Sequence, residues 1–372
     1  MGRLAGAARA LLGNRWGRAA LALVAVVAVV VAVVVLRGGD SDEPVAGTTT
    51  TTTTDSTPTV PDPPSDLRFL PEDADAPGSP APLTGLPASD DALARPAIAA
   101  KVDNLDTASE TARPQAGLAH ADVVVEQLVE GGITRFVAVL HSTGVDDVGP
   151  IRSARTTDVD LVPMFGRALF AYSGGNGGVL AQVRGSGRFV DASGGEPVYH
   201  RVSDRRAPHN LFLRPAQQWA RPGDATSPPA LGPFSTAIAD GDEVEGVTLS
   251  WSGAAAVGVS WSWEAGAARW VRYQNDSVHL TSEGYAIGPR NVVLMFVEYR
   301  PSVVDARSPE AVTVGSGDAW VLRDGRLIGA RWERADAGSP LTLVDDEGAA
   351  VTLTPGRTWI ELLAPGSVVV DG

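Results

Sequence analysis

The sequence predicts an α+β protein: an N-terminal mixed α/β domain followed by a β-rich C-terminal domain, preceded by one transmembrane helix and a disordered linker. Three observations carry this. Ala19–Leu36 runs for 18 residues without a charge, inside the span of about 17–25 residues that crosses a bilayer as a helix. Residues 37–82 are poor in apolar side chains and include seven consecutive threonines, Thr48–Thr54. From Leu83 strand-like and helical patterns mix until about residue 225, and from 226 short strands recur between turn pairs.

Arg3, Arg9, Arg15 and Arg18 precede the apolar run, and no acid occurs before Asp40. Positive charge stays inside, so residues 1–18 are expected in the cytoplasm, 19–36 in the bacterial cytoplasmic membrane as a signal-anchor, and the rest outside. A cleaved signal peptide is the rival reading, but no small-x-small site stands beside Leu36. The linker, 37–82, cannot bury enough to order itself and is read as a tether.

The formal charge of −14 argues against a nucleic-acid partner, which needs a basic face. With no cysteine, the chain excludes disulfides, thiolate metal sites, a thiol nucleophile and a lipid anchor on cysteine.

In the first domain, 83–225, Pro96–Asn104, Ala121–Val129 and Thr134–His141 read as strands, the last two joined at Gly131-Gly132. Ser153–Met164 has helical spacing, Ala168–Tyr172 reads as a strand, and Val179 opens a helix. In the second, 226–372, eight strands are expected: Val247–Trp251, Val257–Trp263, Ala268–Tyr273, Asn291–Tyr299, Ala319–Arg323, Arg326–Trp332, Leu341–Val344 and Trp359–Leu363. Asn275-Asp276, Asp324-Gly325, Glu347-Gly348 and Pro355-Gly356 mark turns, which suggests a sandwich or open barrel.

Alternation along the second strand puts Asp122, Glu126 and Glu130 on one face. Buried carboxylates need cationic partners. Arg113, Arg135, Arg152 and Arg155 are the candidates, and a helix beginning at Ser153 would turn Arg152 and Arg155 the same way. A guanidinium fork holds carboxylate or phosphate at two points. One reading is an anion pocket floored by Arg152 and Arg155, with Glu126 and Glu130 orienting them; a structural ion-pair network is the other. His200-Arg201 and Arg205–Asn210 form a second polar cluster, in which His209 could move protons. No zinc spacing, phosphate loop or nucleophile elbow is present.

Pro82–Pro87, Lys101–Asn104, Ala112–Leu118, Ala121–Glu126, Val129–Phe136, Gly149–Arg155 and Arg206–Leu211 together resemble the YerB-like bacterial lipoprotein family. Asn291–Val293, Val314–Gly317, Arg323–Gly325 and Pro355–Ile360 extend the resemblance to the C-terminal half. The resemblance implies a two-part domain of unknown function on the outer face of the membrane, and carries no catalytic role. It departs from the family in lacking the cysteine for lipid attachment. Motif residues matching here are Asp103, Asn104, Arg113, Asp122, Glu126, Glu130, Arg135, Arg152, Arg155, His209 and Asn210.

Three functions are therefore in play. The first is binding of an anionic cell-envelope ligand through the arginines. The second is an envelope phosphotransferase or hydrolase acting on a lipid-linked glycan, with Glu126 or His209 as base. The third is a structural partner of another envelope protein. No cofactor is expected, although Asp103, Asp122 and Glu126 could offer oxygens to Mg²⁺.

Overall fold

The computed structural model describes residues 60–251 and 257–371. The expected cytoplasmic segment, transmembrane helix and linker as far as residue 59 lie outside the described residues. Among the described residues no helix is long and apolar enough to cross a membrane.

A small pair, β1 (Ser79–Pro80) and β2 (Pro87–Ala88), leads into helix α1 (Asp90–Ala94). Then come β3 (Ile98–Asp103), β4 (Val123–Leu128) and β5 (Thr134–Leu140), close to the expected bounds. Almost every side chain in them is buried. The β4–β5 connection needs left-handed backbone at Gly131 (φ 76°) and Gly132 (φ 85°), which glycine adopts without a Cβ penalty. After α2 (Thr157–Leu161) follow β6 (Leu169–Ala171), α3 (Gly177–Gly185), β7 (Val190–Asp191), the hairpin β8 (Tyr199–Arg201)/β9 (Leu211–Leu213) and α4 (Pro215–Trp219).

The C-terminal half is β-rich. It supplies β10 (Asp242–Glu243), β11 (Gly246–Ser250), β12 (Gly258–Glu264), β13 (Arg269–Gln274), β14 (Ser277–Val278) and β15 (Asn291–Phe296). It continues with β16 (Tyr299–Ser302), β17 (Asp305–Ala311), β18 (Gly315–Arg323), β19 (Arg326–Arg334), β20 (Thr342–Val344), β21 (Thr358–Leu363) and β22 (Val368–Asp371). All eight strands expected from the sequence are present.

These strands do not close into a sandwich or barrel of their own. Every residue of β21 is buried, so the strand needs neighbours on both edges. It pairs in parallel with β15 on one side and with β4 on the other. The result is one long sheet, β10-β19-β18-β15-β21-β4-β5-β3-β6-β7, with strands from both halves and β20 added beside β19. A second sheet, β14-β13-β12-β11-β22, comes wholly from the C-terminal half.

Each face of the long sheet carries a hydrophobic core. On one, Val123, Val125, Val137 and Val139 meet Leu161 and Val162, with Val179 and Val183 from α3. On the other, Val124, Phe136 and Ala138 meet Val247, Trp261 and Trp270 of the second sheet.

Two further expectations are corrected. The helix expected over Ser153–Met164 starts only at Thr157, and Val162–Phe165 is a 3-10 turn. The reason is backbone pairing: the Arg152 N–H donates to the Lys101 carbonyl, and the Ala154 N–H to Gly174, which holds the chain extended. In residues 60–82, expected to continue the disordered linker, Val60, Arg68 and Glu72 contact the C-terminal half and Ser79–Pro80 forms β1. Val60 is buried and its N–H donates to Asp371. Glu72 pairs with Arg269 at 2.9 Å and Arg357 at 3.0 Å.

Candidate functional site

Asp103 and Arg135 are register partners on β3 and β5, so their side chains leave the same face of the long sheet. That face also carries Lys101, which is sealed against Asp158 at 2.7 Å. Asp158 accepts from Gln127 and from the Arg155 N–H as well, each at 2.7 Å. Burial lowers the Lys101 ammonium to about 8, against the pull of Asp158.

Next to this pair the structure gathers five of the predicted residues. The Arg155 Nε and Nη2 both donate to one oxygen of Glu130, at 2.9 and 2.6 Å, and Nη1 donates to the Ala154 carbonyl at 2.8 Å. Arg152 Nε lies 2.9 Å from Asp103 Oδ2. Arg135 Nη1 donates to the Ser153 carbonyl at 3.1 Å. Burial, then the neighbouring Arg155, depresses the Arg135 guanidinium to about 10, while Asp103 pulls the other way. Three guanidiniums meet two carboxylates here, Glu130 and Asp103.

The donors are unequally engaged. Arg155 is fully tied down, so it braces. Arg135 is only 7% exposed, and its Nε has no partner. The Arg152 side chain is 23% exposed, its terminal nitrogens without hydrogen bonds among the described residues. His209 joins from the β8–β9 loop: its Nδ1 is 2.6 Å from Asp103 Oδ2, and its Nε2 lies 2.9 Å from Glu110, a residue that sequence reasoning missed.

Glu130, although part of this cluster, lies beyond the end of β4, in the turn, so it does not share a face with Glu126. The predicted residues outside the cluster go elsewhere. Asp122 accepts from the Ser142 N–H at 2.7 Å and from its hydroxyl. Arg113 pairs with Asp106 at 2.9 Å and reaches the Val278 carbonyl of the second sheet. Asn210 accepts from Arg201 at 2.6 Å, within the hairpin. The rest of the second polar cluster separates from His209: Arg205 lines a polar groove of about 630 Å³ with His120, Asp147 and Glu283.

Glu126 is the principal correction. It was expected to orient Arg152 and Arg155 or to act as a base. It points instead to the opposite face and is 0% exposed. Both of its oxygens accept from Arg272 Nη2, at 2.7 and 3.0 Å. Thr134 and Asn104 complete its shell. Arg272 also donates to His279 Nδ1, whose Nε2 meets Gln115 at 2.8 Å. Burial and the Arg272 charge push His279 well below its usual value, so the ring is neutral there. Glu361, the register partner of Glu126, accepts from Trp261 at 3.0 Å. Burial and the Glu126 charge raise its carboxyl well above the usual value.

The three carboxylates once offered to Mg²⁺ thus have separate partners. Among the described residues no three acidic or histidine side chains are grouped to hold a metal ion.

Comparison with known proteins follows these halves. The N-terminal domain of the protein family of unknown function DUF3048 matches residues 83–226, and its C-terminal domain matches 247–360. The chain is 27% identical over 299 residues to the "Putative lipoprotein YerB" of Bacillus subtilis strain 168, covering 76% of this chain and 86% of that protein. The crystal structure of the Bacillus subtilis YerB protein shares the fold, with a TM-score of 0.67 at 24% identity, over 78% of this chain and 99% of that one. Matched in both domains, the chain belongs to the DUF3048 family.

Proposed function

We propose that the chain is a cell-envelope protein, held at the cytoplasmic membrane by Ala19–Leu36 with its folded part outside, that binds an anionic ligand at Arg135 and Arg152. A relative described as a lipoprotein supports the location. The charge pattern around the apolar run supports the orientation. One observation carries the ligand: a buried guanidinium, Arg135, with an unpartnered Nε, beside an Arg152 whose terminal donors are open. A buried donor without a partner is costly, and an anion drawn in beside the partly exposed Arg152 would satisfy it.

Titration of the full-length chain with inorganic phosphate tests this. Arg152→Gln, at the more exposed of the two arginines, is expected to weaken binding by about tenfold or more, the value of one charge-assisted hydrogen bond. Affinity also falls with added salt. Unchanged affinity in Arg152→Gln would reject the reading.

A second reading, an envelope hydrolase or phosphotransferase, rests on the 2.6 Å contact between Asp103 and His209 Nδ1. A carboxylate there orients the ring, and Nε2, which faces the half-exposed Glu110, is the nitrogen that would exchange a proton. Turnover of a lipid-linked glycan that is abolished in His209→Gln supports it; no turnover over a panel of such substrates counts against it.

A further inference from the structure

An open groove of about 710 Å³ lies where β15 ends, β18 begins and Ala364–Gly366 carries the chain from β21 into the edge strand β22. None of the arginine cluster lines it. Its floor is aromatic: Trp320 stands edge-on to Phe296, with ring centroids 5.3 Å apart at 84°. Tyr299 forms a wall, fixed by its hydroxyl to the Leu362 carbonyl at 2.9 Å. Across the strand pair, Trp320 faces Gly329, where an added Cβ would meet nothing within 4 Å. The indole is therefore left partly uncovered, and its N–H makes no hydrogen bond among the described residues.

The rim has one sign of charge. Glu298 and Asp318 are exposed, and neither forms an ion pair among the described residues. No lysine, arginine or histidine lines the groove. The nearest cations in the strands are engaged: Arg300 with Glu310 at 2.7 Å, and Arg331, opposite Asp318, with Ser316 at 2.6 Å.

We propose that this groove binds an organic ammonium ion, with the cationic head at Trp320, Glu298 and Asp318 and an apolar body against Phe296 and Pro365. The charge excludes an anion. A purely apolar ligand would leave both carboxylates unused. A cation is drawn by the carboxylates and by the negative face of the indole together.

The test is calorimetric titration of the full-length chain with choline and with its neutral isostere, 3,3-dimethylbutan-1-ol. Choline is expected to bind about fivefold or more tightly than the alcohol. Trp320→Ala removes choline binding. Glu298→Gln with Asp318→Asn changes only exposed side chains, leaves the melting curve in place, and removes the preference for choline over the alcohol. No choline binding, equal binding of the two probes, or an unchanged preference in the carboxamide variant overturns the proposal.

Discussion

Replacing Arg272 with methionine is expected to cost about 3–5 kcal/mol of folding stability, the penalty for leaving a buried charge without its partner. Arg272 and Glu126 are both 0% exposed, and their ion pair spans the two sheets. Arg272 also stands over the Trp359 ring at 5.2 Å and holds Gln274 and His279. Methionine fills the volume but donates nothing, so Glu126 keeps only Thr134 and Asn104. Melting of the full-length chain measures the loss. Arg272→Met combined with Glu126→Gln should recover a large part of it, because the stranded charge is gone. Arg152→Met should cost less, because the arginine is partly exposed and its partner Asp103 keeps His209 Nδ1 at 2.6 Å. A similar cost at both arginines would show that the Arg272 network is not sealed.

That contrast marks what the sequence could and could not tell. Strands were legible because runs such as Val123–Val125 and Val292–Leu294 are β-branched or apolar and bounded by turns. The gathering of Arg135, Arg152 and Arg155 near an acid was legible from local spacing and family motifs. Which acid each would meet was not. Alternation fixes a face only while the strand lasts, and β4 ends at Leu128, so Glu130 escapes the parity that joined it to Glu126. The partner of Glu126 lies 146 residues away, in a sheet whose packing no local pattern announces. The pairing of β4 with β21 is equally non-local, and it joined halves that composition alone had treated as separate. The late helix start has a similar origin: Lys101 and Gly174 claim the backbone of residues 152 and 154.

The contribution of Glu361 to stability is expected to fall as pH rises above the ordinary glutamic-acid value of 4.5. Burial, and the charge of Glu126 across the strand pair, hold the Glu361 carboxyl well above that value. Its Oε1 accepts from Trp261, while its Oε2 meets no donor, so a proton on Oε2 is what closes a hydrogen bond toward Glu126. The folded chain therefore keeps a proton that the unfolded chain releases. This contribution is complete below 4.5 and is lost as pH climbs toward the folded value, at a slope of at most about 1.4 kcal/mol per pH unit. Glu361→Gln supplies the missing donor permanently, accepts from Trp261 as before, and removes the titration. Among the groups that act in the opposite sense are His279, neutral when folded, whose contribution rises with pH up to about 6.5, and Lys101, which begins to titrate near 8. Comparing the native chain with Glu361→Gln at each pH above about 5 cancels these, and the variant should gain on the native chain as pH rises, until Glu361 ionises in the fold. Parallel stability curves for the two would mean that Glu361 is already ionised in the fold, and that the seam between the two halves holds two buried negative charges against Arg272 alone.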